Sequence, residues 1–225
     1  MFKRTPGLAR IFATSLAGRL TLPFFGIGLL VDTRSLTGSY SAAGVVTGAY
    51  AISIAAGGPL LGRTADRHGR TPVLVASAGV SALLLLAFGS LPDGTSSLVL
   101  VGLAAALGLA TPPLIPCTRA LLSELIADPG TLRTAYAADA GATEASWVVG
   151  PPLGLAVAAL WSPGVALIAG GATLLLGTVA FAAQPESRRL GRISLRDMWS
   201  NRRSRRHQRQ MGSGEALALH RLPSS

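Results

Sequence analysis

From Ser35 to Gly62 the chain carries no charged residue, and from Thr71 to Pro92 it carries none again. Either stretch can cross a bilayer as a helix, which takes about 20 apolar residues. Between them lies the sequence Gly62-Arg63-Thr64-Ala65-Asp66-Arg67-His68-Gly69-Arg70, which holds an acid, three arginines and a histidine. A chain that crosses, turns within about ten residues and crosses back is constrained to a polytopic membrane fold.

The same apolar character recurs along the chain. The first segment is Ile11 to Val31, interrupted only by Arg19. The second runs from Ala42 to Leu61 and the third from Pro72 to Leu91. A turn beginning at Pro92 precedes the fourth, Leu98 to Cys117, and a polar stretch from Thr118 to Thr134 follows it. The fifth, Ala135 to Leu160, contains Asp139 and Glu144. Ser162-Pro163-Gly164 opens the sixth, which ends near Ala183. All six are too long for strands, and in lipid the backbone must bond to itself, so an all-α bundle of six transmembrane helices is expected. Only 13% of the residues are charged, about half the share usual in a soluble domain, ~25%.

Arginine placement orients the bundle. With the N-terminus inside, the cytoplasmic parts hold Lys3, Arg4, Arg10, Arg63, Arg67, Arg70, Arg119 and Arg133, while the outer loops hold only Arg34. Positive residues favour the cytoplasmic side, so both termini are expected there, in the cell membrane. The basic start resembles a signal peptide, but the first segment is long, contains Arg19 and lacks a small-residue cleavage site, so it is read as retained. The net charge of +10 is largely a tail property. Residues 1–184 form the membrane bundle with ten basic against seven acidic groups, and residues 185–225 hold ten arginines against three acids. That tail has no apolar helical period and is expected to be disordered. Beside a membrane helix it suits anionic lipid headgroups rather than nucleic acid.

Nothing points to catalysis. The lone Cys117 permits no internal disulfide and no metal set; the three histidines are scattered. No cofactor or metal is expected.

Gly62, Asp66, Arg67, Gly69 and Arg70 resemble the signature that follows the second helix in the major facilitator superfamily of secondary transporters. That signature has a second basic residue at its end, where this chain has Thr71. The resemblance covers roughly residues 8–184 and implies the N-terminal six-helix half of a twelve-helix transporter, built from two three-helix units of inverted topology. It implies transport of a small solute by alternating access, with the signature gating the cytoplasmic mouth: Asp66 capping or pairing, Arg70 meeting an acid near helices four and five. A second half-transporter or a second copy would complete the site. The alternatives are an inactive truncated fragment, or a small scaffold that binds lipid or protein through its basic tail. Substrate, coupling ion and direction of transport are not legible.

Gly150-Pro151-Pro152-Leu153-Gly154 resembles the element found in the fifth helix of the family's drug–proton antiporters, with Ser146 and Leu155 where that element has glycines. Gly150 and Gly154 share one helix face and permit close backbone approach, as do Gly44 and Gly48, and Gly58 and Gly62. Pro151 favours a bend. Arg19 lies about 12 Å inside the first helix, and a charge at that depth needs a partner or water. Glu144 lies at similar depth from the same side. The two are expected to form either a substrate or proton-coupling site or a structural ion pair, with Arg19 alternatively snorkelling. Asp139, about one turn inside, is expected at the cytoplasmic rim with Arg119, Glu124, Asp128 and Arg133.

Overall fold

The computed structural model of the chain describes residues 6–184, and side chains from Arg10 onward. The expected disorder of the 185–225 tail therefore lies outside the described residues. The described residues fold into eight helices: α1 (Pro6–Arg19), α2 (Leu22–Thr37), α3 (Tyr40–His68), α4 (Arg70–Gly89), α5 (Ser97–Ala110), α6 (Leu114–Leu125), α7 (Pro129–Leu160) and α8 (Pro163–Ala182).

Prolines account for the excess over six. The first segment breaks at Leu20–Thr21, between α1 and α2, where Pro23 has no amide to bond back to Arg19. The fourth breaks at Thr111-Pro112-Pro113, between α5 and α6. One joint is a single residue. Gly69 alone separates α3 from α4, with a φ of 96° that a side chain would rarely adopt. The charged stretch expected as a turn is thus mostly the end of α3, because nothing before Gly69 interrupts the helix. Side-chain caps start the later elements. Ser39 Oγ accepts from Ala42 N at 3.3 Å, Asp128 Oδ2 from Thr131 N at 2.7 Å, and Ser162 Oγ from Val165 N at 3.2 Å.

Five stretches are long and apolar enough to cross a membrane: Arg10–Thr37, Tyr40–His68, Arg70–Gly89, Ser97–Leu125 and Pro163–Ala182. The fifth expected crossing, α7, has 32 residues, but its composition is too polar to count with them. The eight helices fall into two matching sets of four, each made of three segments. Each set opens with a broken span (α1–α2, α5–α6), continues with a long proline-containing helix (α3 with Pro59, α7 with Pro151 and Pro152), and closes with an unbroken 20-residue helix (α4, α8).

The core lies among α2, α4, α5, α6 and α8, built from Phe24, Phe25, Leu29, Leu85, Phe88, Leu100, Leu107, Leu114, Leu167, Leu174 and Phe181. Helices approach closely where both lack side chains: Gly89 against Gly164 and Gly18 against Gly177. Contacts at the two ends fix the helix directions. At one end Gly94 N donates to Leu36 O at 3.0 Å. At the other, Gln184 Nε2 donates to Thr14 Oγ1 at 2.9 Å and Arg70 pairs with Glu124. Successive spans therefore alternate. Arg10, Arg63, Arg67, Arg70 and Arg133 gather at one end, called here the basic end. Helices α3 and α7 lie at the edge, with Ile52, Leu60, Val148, Leu153 and Leu160 exposed.

Candidate functional site

Three charged side chains meet where the first span breaks. Arg19 ends α1 and is 2% exposed. Side chains on a helix point back toward its start, so the guanidinium reaches alongside its own preceding turn. There Nε donates to Ser15 O at 3.3 Å. The other two nitrogens cross to α7: Nη1 donates to Thr143 Oγ1 at 3.2 Å and Nη2 to Asp139 Oδ1 at 2.8 Å. Asp139 is wholly buried and its second oxygen, Oδ2, accepts from Arg119 Nε on α6 at 3.1 Å. The Arg119 side chain is half exposed. One carboxylate thus ties together α1, α6 and α7, and two guanidinium groups share it.

Neighbouring hydroxyls hold the frame. Ser15 Oγ and Thr118 Oγ1 lie 2.8 Å apart, joining α1 to α6. Thr143 Oγ1 donates to Asp139 O at 2.9 Å, which turns its lone pairs toward Arg19. Tyr136 Oη donates to Arg119 O at 3.4 Å. The inward stripe of α7 runs Ala135, Asp139, Ser146, Gly150, so small and polar residues take the places where a helix packed into an apolar core would carry leucine.

This arrangement corrects the expected Arg19–Glu144 pair. Arg19 binds Asp139, and Glu144 is exposed on the outside of α7. The physical reason is azimuth. Glu144 matches Arg19 in depth, but it is five residues past Asp139, about 140° further round the helix, whereas Thr143 at four residues stays on the same face. Asp139 likewise lies inside the bundle rather than at the rim. The spacings Ser15–Arg19 and Asp139–Thr143, each one helical turn, are the signal in the sequence that marks this face.

The other expected residues separate into groups. Arg70 Nη1 lies 2.9 Å from Glu124 Oε1, both part-exposed. Asp66 and Arg67 are exposed at the end of α3, and Gly69 forms the joint. Gly150 and Gly154 pack within the chain: a Cβ on Gly150 would strike Leu20 O, and one on Gly154 the Phe24 ring. Pro151, beside them, sits inside α7. Gly44, Gly48, Gly58 and Gly62 meet nothing within 4 Å, so no described helix uses their close-approach face. One buried acid escaped notice in the sequence. Asp32 on α2 is 4% exposed, and its Oδ2 has no hydrogen-bond partner among the described residues. No group of three or more His, Cys, Asp or Glu side chains comes together among the described residues.

A model of the Major Facilitator Superfamily matches residues 10–217. The chain belongs to that superfamily. The match begins within α1, covers α2 to α8 and runs on into the arginine-rich tail. No curated protein and no solved structure matched the chain. Superfamily membership makes this a multi-pass membrane protein of a family that transports small solutes. The charged cluster and the Gly62–Arg70 signature lie toward one end of its bundle.

Proposed function

We propose that this chain is a six-span half of a secondary transporter. In this reading it moves a small solute across the cell membrane by alternating access, without covalent chemistry. The α7 helix is the fifth of six spans, and both termini are cytoplasmic, at the basic end. The matching sets of broken, long and 20-residue helices support two three-helix units of inverted topology, as expected for such a half.

The observation that carries the reading is the buried Arg19–Asp139–Arg119 cluster at the break between α1 and α2. Ionisable groups inside a membrane are costly and mark pathways. An interrupted helix in a transporter marks where backbone and side chains line a cavity. Here both features occupy one place, and a second interrupted span, α5–α6, supplies Arg119 from beyond its own break. Solute or coupling ion arriving beside Arg119 competes with Asp139 for the guanidinium. That competition loosens the tie among α1, α6 and α7, which is the differential contact that alternating access requires. The signature residues Gly62, Asp66, Arg67, Gly69 and Arg70 act as the gate, with Arg70–Glu124 as its latch.

The second bundle is required by Glu144. Its side chain is exposed midway along α7, and a carboxylate there cannot face acyl chains without a cost of several kcal/mol. A second half or a second copy, docked on the face of α3 and α7, turns Glu144 toward a shared aqueous cavity. The open glycines Gly44 and Gly48 give α3 a surface that a partner helix can approach closely.

Solute counterflow in proteoliposomes tests the proposal. Wild-type protein should exchange at least one labelled solute, and Asp139→Asn should abolish exchange while still inserting. Monodisperse, fully inserted protein that exchanges nothing across a panel of small solutes would replace this reading with that of an inactive fragment.

A further inference from the structure

We propose that the Arg19–Asp139–Arg119 cluster receives an anionic group, a carboxylate or a phosphate, on the free η nitrogens of Arg119. The inference rests on the transport reading and names the chemical class of its solute.

The argument begins with donors and charge. Arg19 has each of its three nitrogens engaged, by Ser15 O, Thr143 Oγ1 and Asp139 Oδ1. Both oxygens of Asp139 are taken, one by each arginine. Arg119 spends only its Nε on Asp139, and no described group accepts from its η nitrogens. Its side chain is half exposed, so those nitrogens are the part of the cluster that an incoming molecule can reach.

Two guanidinium groups on one carboxylate leave one positive charge over. Among the described residues no nearby acid compensates it. Glu124 is held by Arg70 at 2.9 Å. Asp128 is turned to Thr131, whose amide and hydroxyl lie 2.7 and 2.6 Å from it. Glu144 points out of the bundle, and Asp66 is exposed at the end of α3. Arg10 and Arg133, exposed at the same end, add to the positive field and draw anions toward it. A planar guanidinium presents paired N–H groups that match two oxygens of a carboxylate or phosphate. A neutral or cationic solute would leave the surplus charge unanswered in a partly desolvated place.

The test uses the full chain in nanodiscs of phosphatidylcholine, with succinate and inorganic phosphate as probes. Glucose and choline at equal ionic strength are the controls. At least one anion should raise the thermal midpoint saturably, and neither control should. Arg119→Gln should weaken that response about tenfold, the size of one charge-assisted contact. Arg63→Gln, which removes an exposed arginine of α3 at the same end but outside the cluster, should leave it unchanged. Arg119→Lys keeps the charge and loses the fork, so it should fall between; it carries the test if Arg119→Gln is not monodisperse. A saturable response to soluble anion in neutral lipid assigns a free solute. A response seen only when phosphatidylglycerol is titrated in, and dependent on Arg119, assigns a lipid headgroup as the source of the same chemistry. The inference is overturned if neither anion stabilises in either lipid, if choline does equally well, or if Arg63→Gln weakens the response as much as Arg119→Gln. Anion binding without any counterflow would instead sink the transport reading. Counterflow of a neutral solute, untouched by succinate or phosphate, would sink this inference and leave transport standing.

Discussion

Arg70 and Glu124 face each other across the basic end of the bundle, with Nη1 2.9 Å from Oε1. The pair ties the first residue of α4 to the last turn of α6, and so links the Gly69 joint to the helix that carries Arg119. Both side chains are about a third exposed, which sets what the pair can do. Exposed ion pairs contribute about 0–1 kcal/mol, so this one is weak enough to open and close.

Glu124→Gln should therefore move the thermal midpoint very little and change the transport rate. Exchanging the charges, Arg70→Glu with Glu124→Arg, should restore part of the rate that either single change removes. Counterflow on the three variants checks this. A large loss of folded protein in Glu124→Gln would mean the pair is structural.

The cluster around Asp139 should respond asymmetrically. Arg19→Leu leaves Asp139 still held by Arg119, whereas Asp139→Leu strands a buried guanidinium. Breaking a buried pair by removing one partner costs about 3–5 kcal/mol, so Asp139→Leu should lose most of the folded yield and Arg19→Leu less. The double variant Arg19→Leu with Asp139→Leu should recover yield relative to Asp139→Leu alone. Monodisperse yield from gel filtration is the readout, and equal damage from the two single changes would contradict the geometry.

Two pairs of glycines at the same spacing should behave differently. Gly150→Val forces a side chain into the Leu20 carbonyl, and overpacking of this kind costs about 1–3 kcal/mol. Gly48→Val meets open space within the chain and should leave the midpoint of the isolated bundle unchanged. If a second bundle docks on α3, Gly48→Val should still reduce counterflow. Thermal midpoints and counterflow on both variants separate the two effects.

Asp128 offers a pH-dependent signature at the start of α7. Hydrogen bonds from the Thr131 hydroxyl and amide hold its carboxyl below the ordinary value of 3.8. A depressed acid stabilises the fold fully above its unfolded value, and the contribution is lost as pH falls through the lower folded value. Asp128→Ala should loosen residues 129–133 at neutral pH, and its difference from wild type should shrink as pH drops below 3.8. Hydrogen exchange of the Thr131 amide across that range is the measurement.

The apolar lengths made five of the six expected crossings legible, because bilayer thickness leaves little freedom in helix length. They did not reveal the breaks. The fourth segment reads as continuous from Leu98 to Cys117, yet Pro112 and Pro113 divide it. The first reads as continuous past Arg19, yet Pro23 divides that one. Depth along a helix was legible only in part: it placed Arg19 inside, where Arg19 is buried, but placed Asp139 at the rim, where Asp139 is buried too. Azimuth was not, since it depends on which helix packs where, and that error assigned Glu144 the place that Asp139 holds. The glycine pairs show the same limit. Spacing identifies a face that can be approached closely, and only the packing decides that Leu20 covers Gly150 and Phe24 covers Gly154 while no described residue covers Gly44 and Gly48.

The Gly69 joint gives the bundle leverage. With one residue between α3 and α4, the two helices share no slack, and a tilt of one is either passed to the other or absorbed in two backbone torsions. The 29 residues of α3 make an arm of about 43 Å, so a 10° swing at the joint carries its far end roughly 7 Å. If the proposed gate swings at this joint, a small rotation at one end sets the width of the opening at the other. In the proposed gate the Arg70–Glu124 pair lies beside this joint, where the motion is smallest.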